Sequence, residues 1–167
     1  MTHKGMSRRE LLGAAIAPLF VSGLTREIAA ADIPQHIQAL IVEATGGVTP
    51  SRGKVKLTLP AIAESGNSVP LKLQVDSPMT AESYVRSIHI FSARNPRPVI
   101  ARFHLGPQSG RAEVNTRIRL AGTQEVFALA IMSDASAWLG STGVVVTAAA
   151  CTDEKQEQQR NDPTPRT

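Results

Sequence analysis

Apolar and polar side chains alternate with a period of two along much of residues 55–147. The alternation is clean over 55–59, 69–75, 99–105 and 111–120, and less clean over 84–91, 124–132 and 143–147. Each segment predicts a β-strand with one face turned to a core, and the less regular ones are expected near the middle of a sheet. Turn signals rich in Gly and Pro separate the strands. Seven short strands at regular spacing predict an all-β fold, an immunoglobulin-like antiparallel β-sandwich that lacks the paired cysteines of an antibody domain.

A short helix is predicted before the first strand. Its apolar residues recur at helical spacing and are Ile33, Ile37, Leu40, Ile41 and Ala44. We expect Asp32 to cap this helix, with Pro34 in the first turn and Gly46-Gly47 at the end.

The N-terminal residues have the features of an export signal. Ser7-Arg8-Arg9-Glu10-Leu11-Leu12 is a twin-arginine pattern, and the apolar stretch 11–21 is too short to span a bilayer, which takes about 20 apolar residues. Ala29-Ala30-Ala31 offers the small side chains that a signal peptidase accepts, so cleavage is expected before Asp32. The pattern predicts export to a bacterial periplasm with no membrane attachment after cleavage. An N-terminal amphipathic or membrane-anchor helix is the alternative.

The chain therefore divides into three predicted parts. They are a signal peptide, a sandwich domain, and a C-terminal arm with a polar tail, over residues 1–31, 32–147 and 148–167. Removal of the signal peptide takes away four basic and two acidic side chains, so the net charge falls from +4 to +2. A net charge this small gives no reason to expect a nucleic-acid partner. Arg111, Arg117 and Arg119 lie close together in sequence, either as a solvated strand face or as a docking surface for an anionic partner.

Catalytic and metal-binding patterns are weak in this chain. His89 and His104 fall in adjacent predicted strands and can face each other, but no third ligand is spaced to complete a metal site with them. A Ser-His-Asp triad can be assembled from Ser77, His89 and Asp134, but the sequence contains no nucleophile-elbow pattern that would support it. Trp138 is interpreted as a core or rim aromatic. No cofactor motif is recognised, so neither a cofactor nor a metal is expected.

The one cysteine of the chain, Cys151, follows the last β-branched run. Three roles are open for this residue: a buried inert thiol, a disulfide link to another chain, or a reactive thiol. The segment after it, TDEKQEQQRNDPTPRT, has no apolar residue that returns the chain to a core and is expected to be a solvated tail. A cysteine at the start of such a tail is accessible, and in the periplasm an unpaired accessible thiol is a liability unless it has a use.

Two long segments resemble one family along their whole length. Residues 41–80, beginning IVEATGGVTP, and 81–138, beginning AESYVRSIHIF, resemble SoxY, the sulfur carrier of the bacterial thiosulfate-oxidising Sox system. The resemblance implies an immunoglobulin-like sandwich, a heterodimer with a SoxZ-like subunit, and transient docking to Sox enzymes. It also implies that thiosulfate-derived sulfur species attach covalently to Cys151 and that the protein is a carrier subunit, not an enzyme.

The arm departs from the family pattern. Members end in a Gly-Gly-Cys-Gly-Gly run, whereas here Cys151 sits in Ala148-Ala149-Ala150-Cys151-Thr152-Asp153 and sixteen residues follow it. Alanines keep the arm slender but less mobile than glycines. Besides the carrier, two further interpretations follow: a divergent SoxY-like binding or assembly module without covalent carrier activity, and an independent enzyme.

Overall fold

The computed structural model describes residues 33–148, and one helix, α1 (Gln35–Thr45), precedes the strands. Pro34 is its N-cap, where the missing N–H of proline costs nothing. Gly46 ends the helix in the left-handed conformation with φ 65°, and the Gly47 N–H donates to the Val42 carbonyl at 3.1 Å. No helix of the described residues is long and apolar enough to cross a membrane.

Within residues 33–148, eight strands follow the helix. In chain order they are β1 (Val55–Thr58), β2 (Ile62–Ala63), β3 (Val69–Val75), β4 (Val85–Ser92), β5 (Val99–His104), β6 (Glu113–Ile118), β7 (Gln124–Met132) and β8 (Ala137–Val146). A single 3-10 turn, Pro107–Ser109, connects β5 to β6.

The strands form two sheets. One has three strands in the order β1-β3-β6, and the other has five in the order β2-β8-β7-β4-β5. Neighbouring strands are antiparallel except β2 and β8, which are parallel, with Ile62 opposite Val145. The predicted two-sheet sandwich with one short N-terminal helix is confirmed, although the parallel pair was not expected.

The main core lies between the two sheets. Alternate residues of β3 point into it, so the burial of this strand follows the predicted period of two. The fully buried large side chains of the main core include Leu73, Ile88, Ile90, Leu120 and Val126. Burial of such side chains contributes about 1.5–3 kcal/mol each and is the main source of stability.

A second apolar cluster covers the other face of the five-stranded sheet. Ile37 and Ile41 of α1 pack there against Phe91, Phe127 and Leu129. Because both faces of β7 are covered, eight of its nine residues are buried and its polar-apolar alternation is lost.

The two sheets meet closely where β1 passes β8. A Cβ atom at Gly140 of β8 would lie 2.8 Å from the carbonyl oxygen of Val55 and 2.9 Å from its Cγ1. Glycine at position 140 therefore permits a backbone approach that a larger residue would obstruct.

The element boundaries differ from the sequence prediction by one or two residues at several strand ends, as in β6, which covers Glu113–Ile118 and not 111–120, and they differ more at the helix start, at β2 and at the last strand. The helix begins after Pro34, which was predicted to lie in its first turn; the predicted cap, Asp32, lies outside the described residues. The last strand begins at Ala137 and not at 143, because its first half mixes Trp, Gly and Ser and shows no alternation. β2 has two residues, too few for any period to be visible.

Candidate functional site

The last strand is held in place up to Ala148. Val145 N–H donates to the Ala61 carbonyl at 2.9 Å, and Thr147 N–H donates to the Ala63 carbonyl at 3.0 Å. On the other side, the Val146 N–H donates to Thr123 Oγ1 at 3.0 Å. Neighbours on both sides therefore fix the end of β8.

Two further hydrogen bonds attach the residues after β8 to the loop that follows β2. Thr147 Oγ1 donates to the Glu64 carbonyl at 2.9 Å, and the Gly66 N–H donates to the Ala148 carbonyl at 2.7 Å. The Gly66 carbonyl in turn accepts from the Leu120 N–H at 2.8 Å, so one buried glycine links this segment to the end of β6. We call residues 145–148 with their partners in 61–66 the arm root.

Cys151, the predicted attachment point, lies outside the described residues. It follows Ala148, the last residue of the arm root, by three positions. Extended backbone covers about 3.3–3.6 Å per residue, so the Cα atom of Cys151 lies within roughly 11 Å of the Cα atom of Ala148.

An apolar pair is exposed at the arm root. Ile62 and Val145 are partners across the parallel strands and are 64% and 47% exposed. Their neighbours Ala63, Val144 and Val146 point into the core, so the pair lies on the opposite face of the sheet. Sequence alternation alone did not single out this pair.

The three arginines that the sequence analysis singled out are all exposed on or beside β6. Arg117 differs from the others in that its guanidinium is held in place. Its Nε donates to Ser68 Oγ at 2.6 Å, and its Nη2 donates to the Ser68 carbonyl at 2.9 Å. Ser68 lies two residues after Gly66, so this guanidinium is close to the arm root.

A groove of about 590 Å³ runs beside Arg117. It is lined by residues 58–60, by residues 70–72 of β3 and by residues 115–117 of β6. Lys72 in this lining pairs with Glu113, with Nζ 3.0 Å from Oε1. The pKa of the Glu113 carboxyl is lowered to about 2, first by a hydrogen bond from the Asn115 side chain and then by those from Lys72 and Gln74. Within residues 33–148 no other ion pair forms, so Arg117 has no carboxylate partner there.

The two predicted strand histidines share one face of neighbouring strands, but they are offset. His89 is opposite Arg102, and His104 is opposite Ser87. The pKa of His89 is lowered, first by burial and then by the charges of Arg102 and His104. Its Nε2 lies 3.3 Å from Ser87 Oγ, and its buried Nδ1 has no hydrogen-bond partner among residues 33–148. Residues 33–148 contain no group of three or more His, Cys, Asp or Glu side chains placed to hold a metal ion.

The other sequence candidates make local contacts. Ser77 Oγ accepts from the Met79 N–H at 3.4 Å, and Asp134 accepts from the Ser136 N–H at 2.9 Å. Neither residue hydrogen-bonds to His89, so the structure does not assemble the triad. Trp138 packs against the main core with Lys54 Nζ 4.6 Å from its ring centroid, which confirms its interpretation as a core or rim aromatic.

Comparison with known proteins finds one family. The family described as "Sulfur oxidation protein SoxY" matches residues 41–151. The sulfur carrier protein SoxY from Chlorobium limicola f thiosulfatophilum is similar in fold, with a TM-score of 0.57 and 24% identity over 66% of this chain and 96% of that one. A superoxide reductase (neelaredoxin) from Ignicoccus hospitalis has a TM-score of 0.51 and 16% identity over 56% of this chain and 80% of its own. No curated protein sequence matches the chain.

Proposed function

Because the chain belongs to the SoxY family of sulfur oxidation proteins, we propose that it is a carrier subunit that holds sulfur intermediates of thiosulfate oxidation covalently on Cys151. The observation that carries the proposal is the position of this thiol relative to the arm root. The chain is hydrogen-bonded to the sandwich as far as Ala148, and the cysteine follows three residues later. The family match also extends to Cys151 as its last residue.

The chemistry of the cargo fits a single thiol. Sulfur–sulfur bonds resist hydrolysis but exchange with thiolates, so a group attached in this way survives transport and is still transferable. Cys151 is the only cysteine in the chain. No second thiol of the same chain is therefore available to displace the cargo and form an intramolecular disulfide.

The compartment and the partners belong to the same proposal. Residues 1–31 direct export to the periplasm, where the domain pairs with a SoxZ-like subunit and presents its cargo to the enzymes of sulfur oxidation. Replacement of Arg8-Arg9 by Lys-Lys is the direct check on export, since retention of the precursor in the cytoplasm supports the twin-arginine signal and normal export refutes it.

The test of the carrier is the Cys151→Ser variant. We expect mass spectrometry of the native protein to find thiol-reducible sulfur adducts on the peptide that contains Cys151. The variant should lose them and should fail to support thiosulfate oxidation in cells that lack another carrier. Its thermal unfolding should match that of the original chain, because the substituted residue follows the end of the last strand, Val146, by five positions. Normal thiosulfate oxidation by Cys151→Ser cells would refute the covalent carrier.

The exposed pair of Ile62 and Val145 favours the second candidate, a binding or assembly module without covalent carrier activity. Two large apolar side chains that lie side by side in solvent suit a protein contact. Under this alternative, an Ile62→Asp variant loses its partner and its function, while Cys151→Ser keeps both.

A further inference from the structure

Arg117 combines a fixed position with an uncompensated charge. Two hydrogen bonds to Ser68 orient its guanidinium, and no carboxylate within residues 33–148 neutralises it. A guanidinium that is oriented before a ligand arrives loses less side-chain freedom when it binds an anion. The adjacent Lys72 does not act in the same way, because Glu113 pairs with it.

The groove places this charge within reach of the thiol. Gly66 binds Ala148 and lies two residues before Ser68, so backbone geometry keeps the Arg117 guanidinium within roughly 17 Å of the Ala148 carbonyl. Three extended residues, the cysteine side chain and an attached S–SO₃⁻ group reach roughly 18 Å from Ala148. The negative end of a sulfur adduct on Cys151 can therefore touch Arg117.

Resting on the carrier function above, we propose that the groove beside Arg117 is a binding site for the anionic sulfonate end of the sulfur species attached to Cys151. The guanidinium binds the sulfonate oxygens, and the apolar residues Leu59, Pro60 and Pro70 exclude part of the solvent around the sulfur–sulfur bond. This assigns one member of the arginine set to an anionic ligand and leaves the others as a solvated strand face.

The attachment raises the occupancy of the site. A single exposed guanidinium binds a free anion weakly, because solvent and salt screen the charge. A ligand tethered by a short chain has an effective concentration in the millimolar range, so the same contact is populated without added anion. The carried sulfonate is therefore expected to occupy the site when free thiosulfate is well below the millimolar range and does not bind measurably.

The test uses the full chain loaded with tetrathionate, which requires no Sox enzyme. The Cys151 thiolate attacks a central sulfur of tetrathionate, forms the adduct Cys–S–S–SO₃⁻ and releases one thiosulfate ion. Dithiothreitol then reverses the attachment: it is oxidised to its disulfide, and Cys151 and a second thiosulfate ion are released. We expect the adduct of Arg117→Gln to be reduced roughly threefold to tenfold faster than that of the original chain, because the anion no longer rests in the groove.

Arg111→Gln is the matched control, since it removes the same charge from an exposed residue that precedes β6 and does not line the groove. Its adduct should be reduced at the original rate. In a second measurement, loading should shift the NMR signal of the Arg117 Nε–H, whereas free thiosulfate added to Cys151→Ser at about 0.01 mM, far below the effective concentration of the attached group, should not shift it.

Equal reduction rates in Arg117→Gln and the original chain would overturn the groove site, and so would an equal signal shift produced by free thiosulfate at about 0.01 mM, because attachment would then add nothing to binding. Both results leave the carrier function standing, because that function is tested in cells by Cys151→Ser. Conversely, normal thiosulfate oxidation by Cys151→Ser cells refutes the carrier whatever the reduction rates are.

Discussion

The substitution Gly140→Ala tests the close contact between the two sheets. The added methyl group would lie 2.8 Å from the Val55 carbonyl oxygen and 2.9 Å from its Cγ1, compared with about 3.5 Å for an ordinary contact. Val55 is part of β1, which pairs with β3, so relief of the overlap requires the strand to move. β8 is equally constrained, since β7 pairs with eight of its residues.

Overpacking of this kind costs about 1–3 kcal/mol. A domain of this size loses about 4 °C in Tm for each kcal/mol, so we expect Gly140→Ala to unfold about 4–12 °C below the original chain. Gly143→Ala on the same strand is the control, because its Cβ would meet nothing within 4 Å, and its Tm should be unchanged or slightly higher. Thermal unfolding followed by circular dichroism measures both. Equal Tm values for the two variants would show that the sheets do not approach as described.

Two predictions concern titration. The pKa of His89 is lowered in the native state, so the unfolded chain takes up a proton first as the pH falls below about 6.5. The free energy of unfolding therefore decreases as the pH is lowered. Measured by urea unfolding, its decrease between about pH 7.5 and pH 5.5 should be smaller for His89→Gln than for the original chain. An equal fall in both proteins would contradict the burial of this imidazole. The Glu113 carboxyl should titrate near pH 2 when followed by NMR. The hydrogen bond from Asn115 is the largest cause of the lowered pKa, so Asn115→Ala should raise the midpoint of this titration. An unchanged midpoint would refute this assignment.

The strands that were predicted most closely have one buried and one wet face. β3 occupies residues 69–75 as expected, because its alternation reports directly on the core. β2 and the first half of β8 were missed for a different reason. Two residues show no period, and the sequence around Gly140 is set by the approach of Val55, which is distant in the chain.

The parts of the site that the sequence does not specify depend on long-range pairing. The charge of Arg117 was visible, but Ser68, which orients it, lies 49 residues earlier. Likewise, His89 and His104 were placed on adjacent strands, while their offset depends on the register of β4 and β5. Side-chain chemistry was therefore predictable, and the geometry that makes one arginine different from its neighbours was not.

The position of Ala148 links these observations to the proposed carrier function. Under the proposed carrier function, the protein needs a fixed root, so that its cargo samples a small volume, and an attachment point close to that root. The hydrogen bonds of Thr147 and Ala148 supply the first, and the three-residue spacing to Cys151 supplies the second. Because the spacing is short, an enzyme that reacts with the sulfur must approach within about 20 Å of Ala148. The exposed pair of Ile62 and Val145 lies inside that distance, because Val145 precedes Ala148 by three residues and pairs with Ile62. If the proposed carrier function holds, the arm root is the part of the described surface where cargo, carrier and enzyme meet.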